Sequence, residues 1–304
     1  MKSLHIIIFS FNRALQLDAL LQSIHVNLKG KFKVSVLYNT SNDLFQRGYE
    51  KLKEENPTVS FIKENRNSFR YPSKLYFSLY NIKKLIRHPY IRKPKSNFRD
   101  KLIELVSLQN GDYTMFMTDD SLFTRETCLS DDIYNLISKS PTQNSFALRL
   151  GLELNNPPSS VRPLNESVLF WNYYNTGANL KNWNYPFSVD AHIYDTNFIK
   201  ELSEKLVFMN PSSYECILCD YVCKHKLLSN GYSFQKYCLL SFPINIVQEV
   251  EDNESLNCSV EDLNNYFLEG YTLEYPIIEK ADTFQQYPSF INLKKNGEIV
   301  KIDF

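Results

Sequence analysis

Gly111-Asp112-Tyr113-Thr114-Met115-Phe116-Met117-Thr118-Asp119-Asp120-Ser121-Leu122-Phe123 is a turn, an apolar run and an acidic pair in immediate succession. The Gly-Asp turn releases Tyr113 to Met117, long enough for one buried strand, and the run stops abruptly at two adjacent carboxylates. In an open α/β sheet the carboxyl ends of the strands face the ligand crevice, so Asp119 and Asp120 are placed where a ligand or a metal ion can use them.

Upstream, Leu4 to Phe11 is almost continuously apolar, as suits a central parallel strand covered on both faces. Asn12 and Arg13 close it, and Leu15, Leu17, Leu20, Leu21 and Ile24 recur at helical spacing. A second strand, Lys33 to Tyr38, ends in Asn39-Thr40-Ser41-Asn42-Asp43. A charged helix from Leu44 to Glu55 then leads to a third strand, Val59 to Ile62. The order β-α-β-α-β implies right-handed crossovers and a parallel sheet whose polar strand ends share one edge. No Gly-rich phosphate loop follows the first strand, which excludes a dinucleotide fingerprint and a P-loop. Arg66 and Arg70 follow the third strand and fall on the same edge as Asp119 and Asp120. A helix is expected over Ser73 to Ile86, a solvated basic loop over Arg87 to Lys95, and another helix over Phe98 to Leu108.

Composition bounds the partners. The chain has 304 residues, with Lys plus Arg and Asp plus Glu both totalling 34. No net charge therefore drives a general attraction to nucleic acid or to an anionic membrane, and charge must act locally. No apolar run approaches the roughly 20 residues of a membrane span, and the N-terminus lacks signal-peptide order. The expectation is a cytoplasmic protein with its six cysteines reduced. Peripheral association with the inner face of a membrane is compatible with that expectation.

Three landmarks in order, Ser10-Phe11-Asn12-Arg13 before a Leu-rich helix, Asn39-Thr40-Ser41-Asn42-Asp43, and Thr118-Asp119-Asp120-Ser121, resemble the nucleotide-binding half of GT-A-fold glycosyltransferases. The likeness is to the broad family two, of the bacterial polysaccharide and glycoconjugate type, and covers about the first 125 residues. It implies that Ser10, Asn12, Arg13, Asn39 and Ser41 hold the nucleoside, with Arg66 and Arg70 beside them. It also implies that Asp119 faces the ribose and that Asp120 ligates Mn²⁺ or Mg²⁺ on the diphosphate. The family's fuller acidic triplet is here a pair flanked by Thr118 and Ser121, and Asn39 stands where many relatives carry Asp.

Downstream, a helix is expected over Cys128 to Ser138, a strand over Ser145 to Leu150 and a proline-rich loop over Asn155 to Pro163. Trp171 and Trp183 lie among Tyr and Asn, a grouping suited either to sugar rings of an acceptor or to an aromatic core. Asp190 and His192 share one face of a strand if the alternation of period two holds, which makes them a candidate metal or acceptor pair. The resemblance puts that strand under the donor sugar. It also makes Glu215, near the start of a helix capped at Asn210 and stopped at Asn230-Gly231, the base for the acceptor hydroxyl, with Asp190 its competitor. Cys216, Cys219 and Cys223 form a helical stripe that reads as core rather than as a zinc knuckle. An acidic surface loop is expected over Glu249 to Glu254, and a short helix and a Tyr- and Pro-rich tail from Ser259.

The expectation is therefore an α/β, GT-A-like (Rossmann-like) fold, a mainly parallel sheet flanked by helices. Residues 1–250 form the domain (1–125 the nucleotide-sugar half, 126–250 the acceptor half), and 251–304 form a C-terminal extension. The activity implied is glycosyl transfer from a nucleotide sugar to a saccharide or lipid-linked saccharide, in surface polysaccharide synthesis. The alternatives are a non-catalytic binder of sugars or nucleotide sugars and a sugar-phosphate nucleotidyltransferase.

Overall fold

The computed structural model describes residues 2–66, 69–108, 111–154, 157–177, 182–247, 256, 258–278 and 281–304. The expected acidic loop over 249–254, the boundary at 250/251 and the start of the proline-rich loop, Asn155 and Asn156, lie outside them.

A nine-stranded sheet forms the centre, in the order Ser60–Lys63, Phe32–Asn39, Leu4–Phe11, Tyr113–Thr118, His192–Asp195, Asn144–Ala147, Asn230–Phe234, Val168–Asn172 and Arg162–Pro163. The first four strands are mutually parallel. His192–Asp195 and Val168–Asn172 run against the remainder. Apolar side chains of the Leu4–Phe11 strand enter both main cores: Ile6 and Ile8 one, Ile7 and Phe9 the other. A strand covered on both faces has no polar side to show, which is why it reads as an unbroken apolar run. Gly111 is required by close approach, since a Cβ there would sit 2.5 Å from the His5 amide nitrogen.

The first helices are Ala14–Asn27 and Asp43–Glu55, the latter capped by the Asn42 side chain on Phe45 N. The expected helix over 73–86 is two pieces: a 3₁₀ turn, Ser73–Phe77, and a helix, Leu79–Arg87. Ser78 ends one and caps the other through Asn81 N. Helix Phe98–Ser107 matches expectation, whereas the helix expected from Cys128 begins at Asp131. Helix Pro211–His225 is closed by a capping box between Asn210 and Ser213. It stops at Lys226 in a left-handed conformation, not at Asn230-Gly231, which opens a strand.

The C-terminal extension packs back on the first half. Helix Val260–Glu269 lies on helices Ala14–Asn27 and Asp43–Glu55, followed by a three-stranded antiparallel sheet, Thr272–Glu274, Phe290–Lys295 and Glu298–Asp303. Its residues Leu263, Phe267, Leu273, Ile291 and Leu293 belong to the same core as Leu4 and Ile6. Among the described residues no helix is long and apolar enough to cross a membrane.

Candidate functional site

Asp119 follows the carboxyl end of the Tyr113–Thr118 strand and is held by the end of its parallel neighbour, Leu4–Phe11. Its carboxylate accepts hydrogen bonds from Ser10 Oγ (2.7 Å), Phe11 N (3.3 Å) and Arg13 Nη1 (2.9 Å), and it is 3% exposed. Arg13 Nη1 also reaches Asp120 Oδ2 at 3.3 Å, so one guanidinium ties both carboxylates. The other nitrogens of Arg13 donate to the Asn245 side chain and carbonyl. Burial alone would lower the Arg13 pKa, and the charges of Asp119 and Asp120 more than reverse that. The Arg13 side chain thereby stays protonated with its donors satisfied, as a buried charge requires.

Beside this centre, Asn12 turns the chain with a φ of 59° and bridges to the next strand end. Its amide donates to Ser41 Oγ (2.9 Å) and accepts from Ser41 N (2.8 Å). Asn39 Oδ1 accepts from Thr40 N, and Asn39 Nδ2 lies 3.4 Å from Glu64. Ser10, Asn12, Arg13, Asn39, Ser41 and Asp119 are thus brought together at one edge. Arg66 is exposed with its guanidinium 5.2 Å from the Phe11 ring centre, and Arg70 is exposed further along the chain.

A second set of charges faces the first from the far side of the Tyr113–Thr118 strand. Asp190 accepts from Thr118 Oγ1 (3.0 Å) and from Arg149 Nη1 (3.2 Å). Burial raises its pKa, Arg149 opposes the rise and the charge of Asp120 adds to it. Glu215 Oε1 accepts from Val189 N at 2.9 Å. Burial, reinforced by the neighbouring charge of Asp190 and opposed by Arg149, pushes Glu215 up to about 7. Glu215 is the fifth residue of its helix rather than the first, and desolvation outweighs the helix dipole, which would favour the ionised form.

Arg149 stands between these carboxylates, two residues beyond the end of the Asn144–Ala147 strand. It is 4% exposed, and its Nε and Nη2 have no hydrogen-bond partner among the described residues. The C-terminal extension closes this part of the site. The Phe284 ring lies 5.0 Å from the Arg149 guanidinium, and Tyr275, stacked on Phe242 at 4.2 Å, brings a buried, unpartnered hydroxyl toward Asp120 and Arg13.

Three expectations are corrected. Trp171 and Trp183 are not acceptor surfaces. They are 0% and 2% exposed, pack edge to face in a small core of their own, and Trp171 Nε1 donates to the Trp183 carbonyl. Asp190 and His192 do not share a strand face, because Ala191 takes a φ of 54° and the strand begins only at His192. His192 is fully buried with neither ring nitrogen partnered among the described residues, and burial followed by the charge of Arg149 holds its pKa well below the ordinary value, so it is neutral. The cysteine stripe is core only at Cys219, with Cys223 exposed, and the cysteines are free thiols.

The edge offers oxygen donors to a hard divalent cation. Asp120 is 16% exposed at its side chain, and its charge is felt by Asp190. Oxygen donors of this kind fit Mg²⁺ or Mn²⁺, which take one or two carboxylates and complete their shell with water and phosphate oxygens. Among the described residues no protein-only cage forms there. Among the described residues, the group of three with ligand atoms within 4.8 Å of one another is His88, Cys216 and Asp220, away from this edge, where Lys84 already pairs with Asp220.

Arg149, Asn245, Tyr275 and Phe284 were not singled out in the sequence. One signal was present: an arginine inside the apolar run Phe146-Ala147-Leu148-Arg149-Leu150 has to be paired when the run is buried.

No protein-family model matches the chain. The bifunctional glycosyltransferase pgtA of Dictyostelium discoideum is 29% identical over 227 residues, covering 67% of this chain and 25% of that protein. The chain thus spans about a quarter of the length of the curated relative it matches. Among solved structures, S. aureus TarS 1-349 in complex with UDP overlaps with a TM-score of 0.43 at 14% identity, covering 79% of this chain and 59% of that one. S. aureus TarS 1-349 in complex with UDP-GlcNAc gives 0.38 at 14%, with 71% and 53% covered.

Proposed function

We propose that the chain is a glycosyltransferase unit that moves a sugar from a nucleotide-sugar donor to a saccharide or lipid-linked saccharide acceptor. The observation that carries this reading is the opposition, across one strand end, of the Arg13-Asp119-Asp120 cluster and the Arg149-Asp190-Glu215 cluster, with Glu215 near neutral pKa. Similarity to a protein named as a glycosyltransferase supports it.

Transfer needs a place for a nucleoside, charge to stabilise a departing diphosphate, and a base for the incoming hydroxyl. Asn12, Asn39 and Ser41 line the nucleoside end, and Asp119 holds Ser10 and Arg13 in register there. Arg149 brings two unpaired nitrogens, Nε and Nη2, toward the diphosphate from a buried position, where a fixed cation acts with little screening. A Mg²⁺ or Mn²⁺ ion held by Asp120 would supply further neutralisation of the leaving group. Glu215 takes the proton of the acceptor hydroxyl as that oxygen bonds to the anomeric carbon and the bond to the diphosphate oxygen breaks. Asp190, fixed by Thr118 and Arg149, orients the acceptor side.

The test is a panel of nucleotide sugars with Mn²⁺ and saccharide acceptors, read as nucleoside diphosphate released and product formed. Turnover that requires Glu215 supports the enzyme. Saturable donor binding with no turnover across the panel assigns a binding protein and overturns it.

A further inference from the structure

Between Asn65 and Arg99 the sequence carries ten Lys and Arg (Arg66, Arg70, Lys74, Lys83, Lys84, Arg87, Arg92, Lys93, Lys95, Arg99) and no Asp or Glu, whereas the chain as a whole carries 34 of each sign. The structure turns much of this charge outward. Lys74, Lys83, Arg87, Arg92, Lys93 and Lys95 are exposed. The same segment exposes large apolar side chains: Phe77 is 84% exposed, Leu79 76% and Ile86 64%, with Tyr76 and Tyr90 partly exposed.

Four of these side chains, Leu79, Lys83, Ile86 and Arg87, share a face for a geometric reason. In helix Leu79–Arg87, Asn81, Lys84 and Leu85 are buried at i, i+3, i+4 spacing. Leu79, Lys83, Ile86 and Arg87 follow at i, i+4, i+7, i+8 on the opposite side. The 3₁₀ turn Ser73–Phe77 feeds into that side, presenting Phe77 next to Leu79. A recess of about 540 Å³, lined by Tyr80, Lys83, Ile86, Arg87 and Lys224 among others, opens beside it. The acid at this recess, Asp220, is engaged by Lys84.

Exposed apolar side chains beside exposed lysine and arginine, with no carboxylate in the segment, complement one kind of surface: acyl chains beneath a sheet of anionic headgroups. A protein partner would have to supply both a pocket for Phe77 and Leu79 and a dense acidic rim, which a bilayer of anionic lipid supplies without further shape. We infer that the surface over 73–95 docks the protein on an anionic lipid bilayer, with Phe77, Leu79 and Ile86 entering the interface and the recess at Lys83, Arg87 and Lys224 receiving headgroup phosphates. The location bears on function. Tyr80 donates its hydroxyl to the Ile217 carbonyl, so this face rests on the helix that carries Glu215. The inference deepens the lipid-linked acceptor suggested above, yet docking stands apart from transfer and is measured without donor or acceptor.

The test is co-sedimentation of the full chain with phosphatidylcholine vesicles, with and without phosphatidylglycerol. The expected result is binding to the anionic vesicles that weakens with salt. Phe77→Ser/Leu79→Ser/Ile86→Ser should lower partitioning about tenfold or more. Lys83→Glu/Arg87→Glu/Lys93→Glu should lower it about a hundredfold. Both sets change exposed side chains, and an unchanged melting temperature confirms the fold. Absence of binding to anionic vesicles, equal binding to neutral ones, or undiminished binding by either triple variant overturns the inference. So does self-association in sedimentation equilibrium that the variants abolish without vesicle binding. Competition by inorganic phosphate beyond that of chloride at equal ionic strength would assign the recess to a soluble anion and overturn it as well.

Discussion

Glu215→Gln separates a base from a merely buried carboxylate, because the structure makes its charge both useful and costly. Burial raises its pKa from 4.5 to about 7, a preference for the neutral form of roughly 3 kcal/mol at 1.36 kcal/mol per pKa unit. Partial exposure of the side chain trims that to about 1 to 3 kcal/mol. The sign follows from linkage. A carboxyl whose folded pKa lies above its unfolded one contributes stability fully below pH 4.5 and loses it as the pH rises through about 7. Glutamine mimics the neutral form and keeps an oxygen for Val189 N, so the variant should melt above the wild type at about pH 8 and match it at about pH 4. Activity should move the other way. Wild-type kcat/KM should climb tenfold per pH unit up to about 7 and then level, as expected for a base of that pKa. In Glu215→Gln the climb should vanish and transfer fall by roughly 10² to 10⁴, with donor affinity kept. Differential scanning calorimetry and a pH–rate profile read both arms. A variant that retains the acid limb at near wild-type rate would move the base to Asp190, and a variant that gains no stability at high pH would refute the buried-charge account.

Asp120→Asn should cut turnover about a hundredfold or more with little change in melting temperature, since a charge on the leaving group is lost; equal activity would remove it from the metal role. Asp119→Ala should weaken nucleotide binding in calorimetry and also cost about 3 to 5 kcal/mol, because Arg13 is left buried without its main partner. Arg149→Lys keeps a cation but loses the planar fork, and should raise the donor Kd about tenfold or more while the fold persists; an unchanged Kd would exclude Arg149 from the diphosphate. Gly48→Ala puts a Cβ 2.9 Å from that of Ala14 and into the Asn264 side chain. It should destabilise by about 1 to 3 kcal/mol and loosen the extension in limited proteolysis. His5, held down to about 4 by burial and then by Lys33, should cost the fold roughly 3 kcal/mol as the pH falls from 6.5 to 4, because the unfolded state binds the proton more tightly; His5→Asn should flatten that part of the stability curve.

The first half was legible because its signals are local. Leu4–Phe11 and Tyr113–Thr118 are buried on both faces, so continuous apolar runs mark them without reference to anything distant. The polar residues that end such strands are adjacent in sequence to the runs, and Ser10, Arg13, Asn39 and Asp119 could be gathered by topology alone. Trp171 and Trp183 failed for the opposite reason. Aromatic and amide residues look the same over a sugar or in a core, and what decides is Gly231, from another strand, whose missing Cβ leaves room for the Trp171 indole. Asp190 and His192 failed on one backbone angle, the positive φ of Ala191, a conformation that alanine does not announce.

The C-terminal extension shows where local reading ends. Its helix Val260–Glu269 is amphipathic enough to be read, but nothing in a helical stripe names the surface it covers. Only the fold shows Asn264 Nδ2 donating to the Leu44 carbonyl and Phe267 joining the core of the first half. That docking carries Tyr275 and Phe284 to the site from more than a hundred residues beyond Asp120 and Arg149. The consequence is chemical as well as architectural. Without Phe284 over its face and Tyr275 beside Asp120, the Arg149 and Arg13 guanidiniums would meet water, and charges that act through a low dielectric would be screened. The extension therefore belongs to the electrostatics of the site, and removing it should weaken diphosphate binding even where the nine-stranded sheet survives.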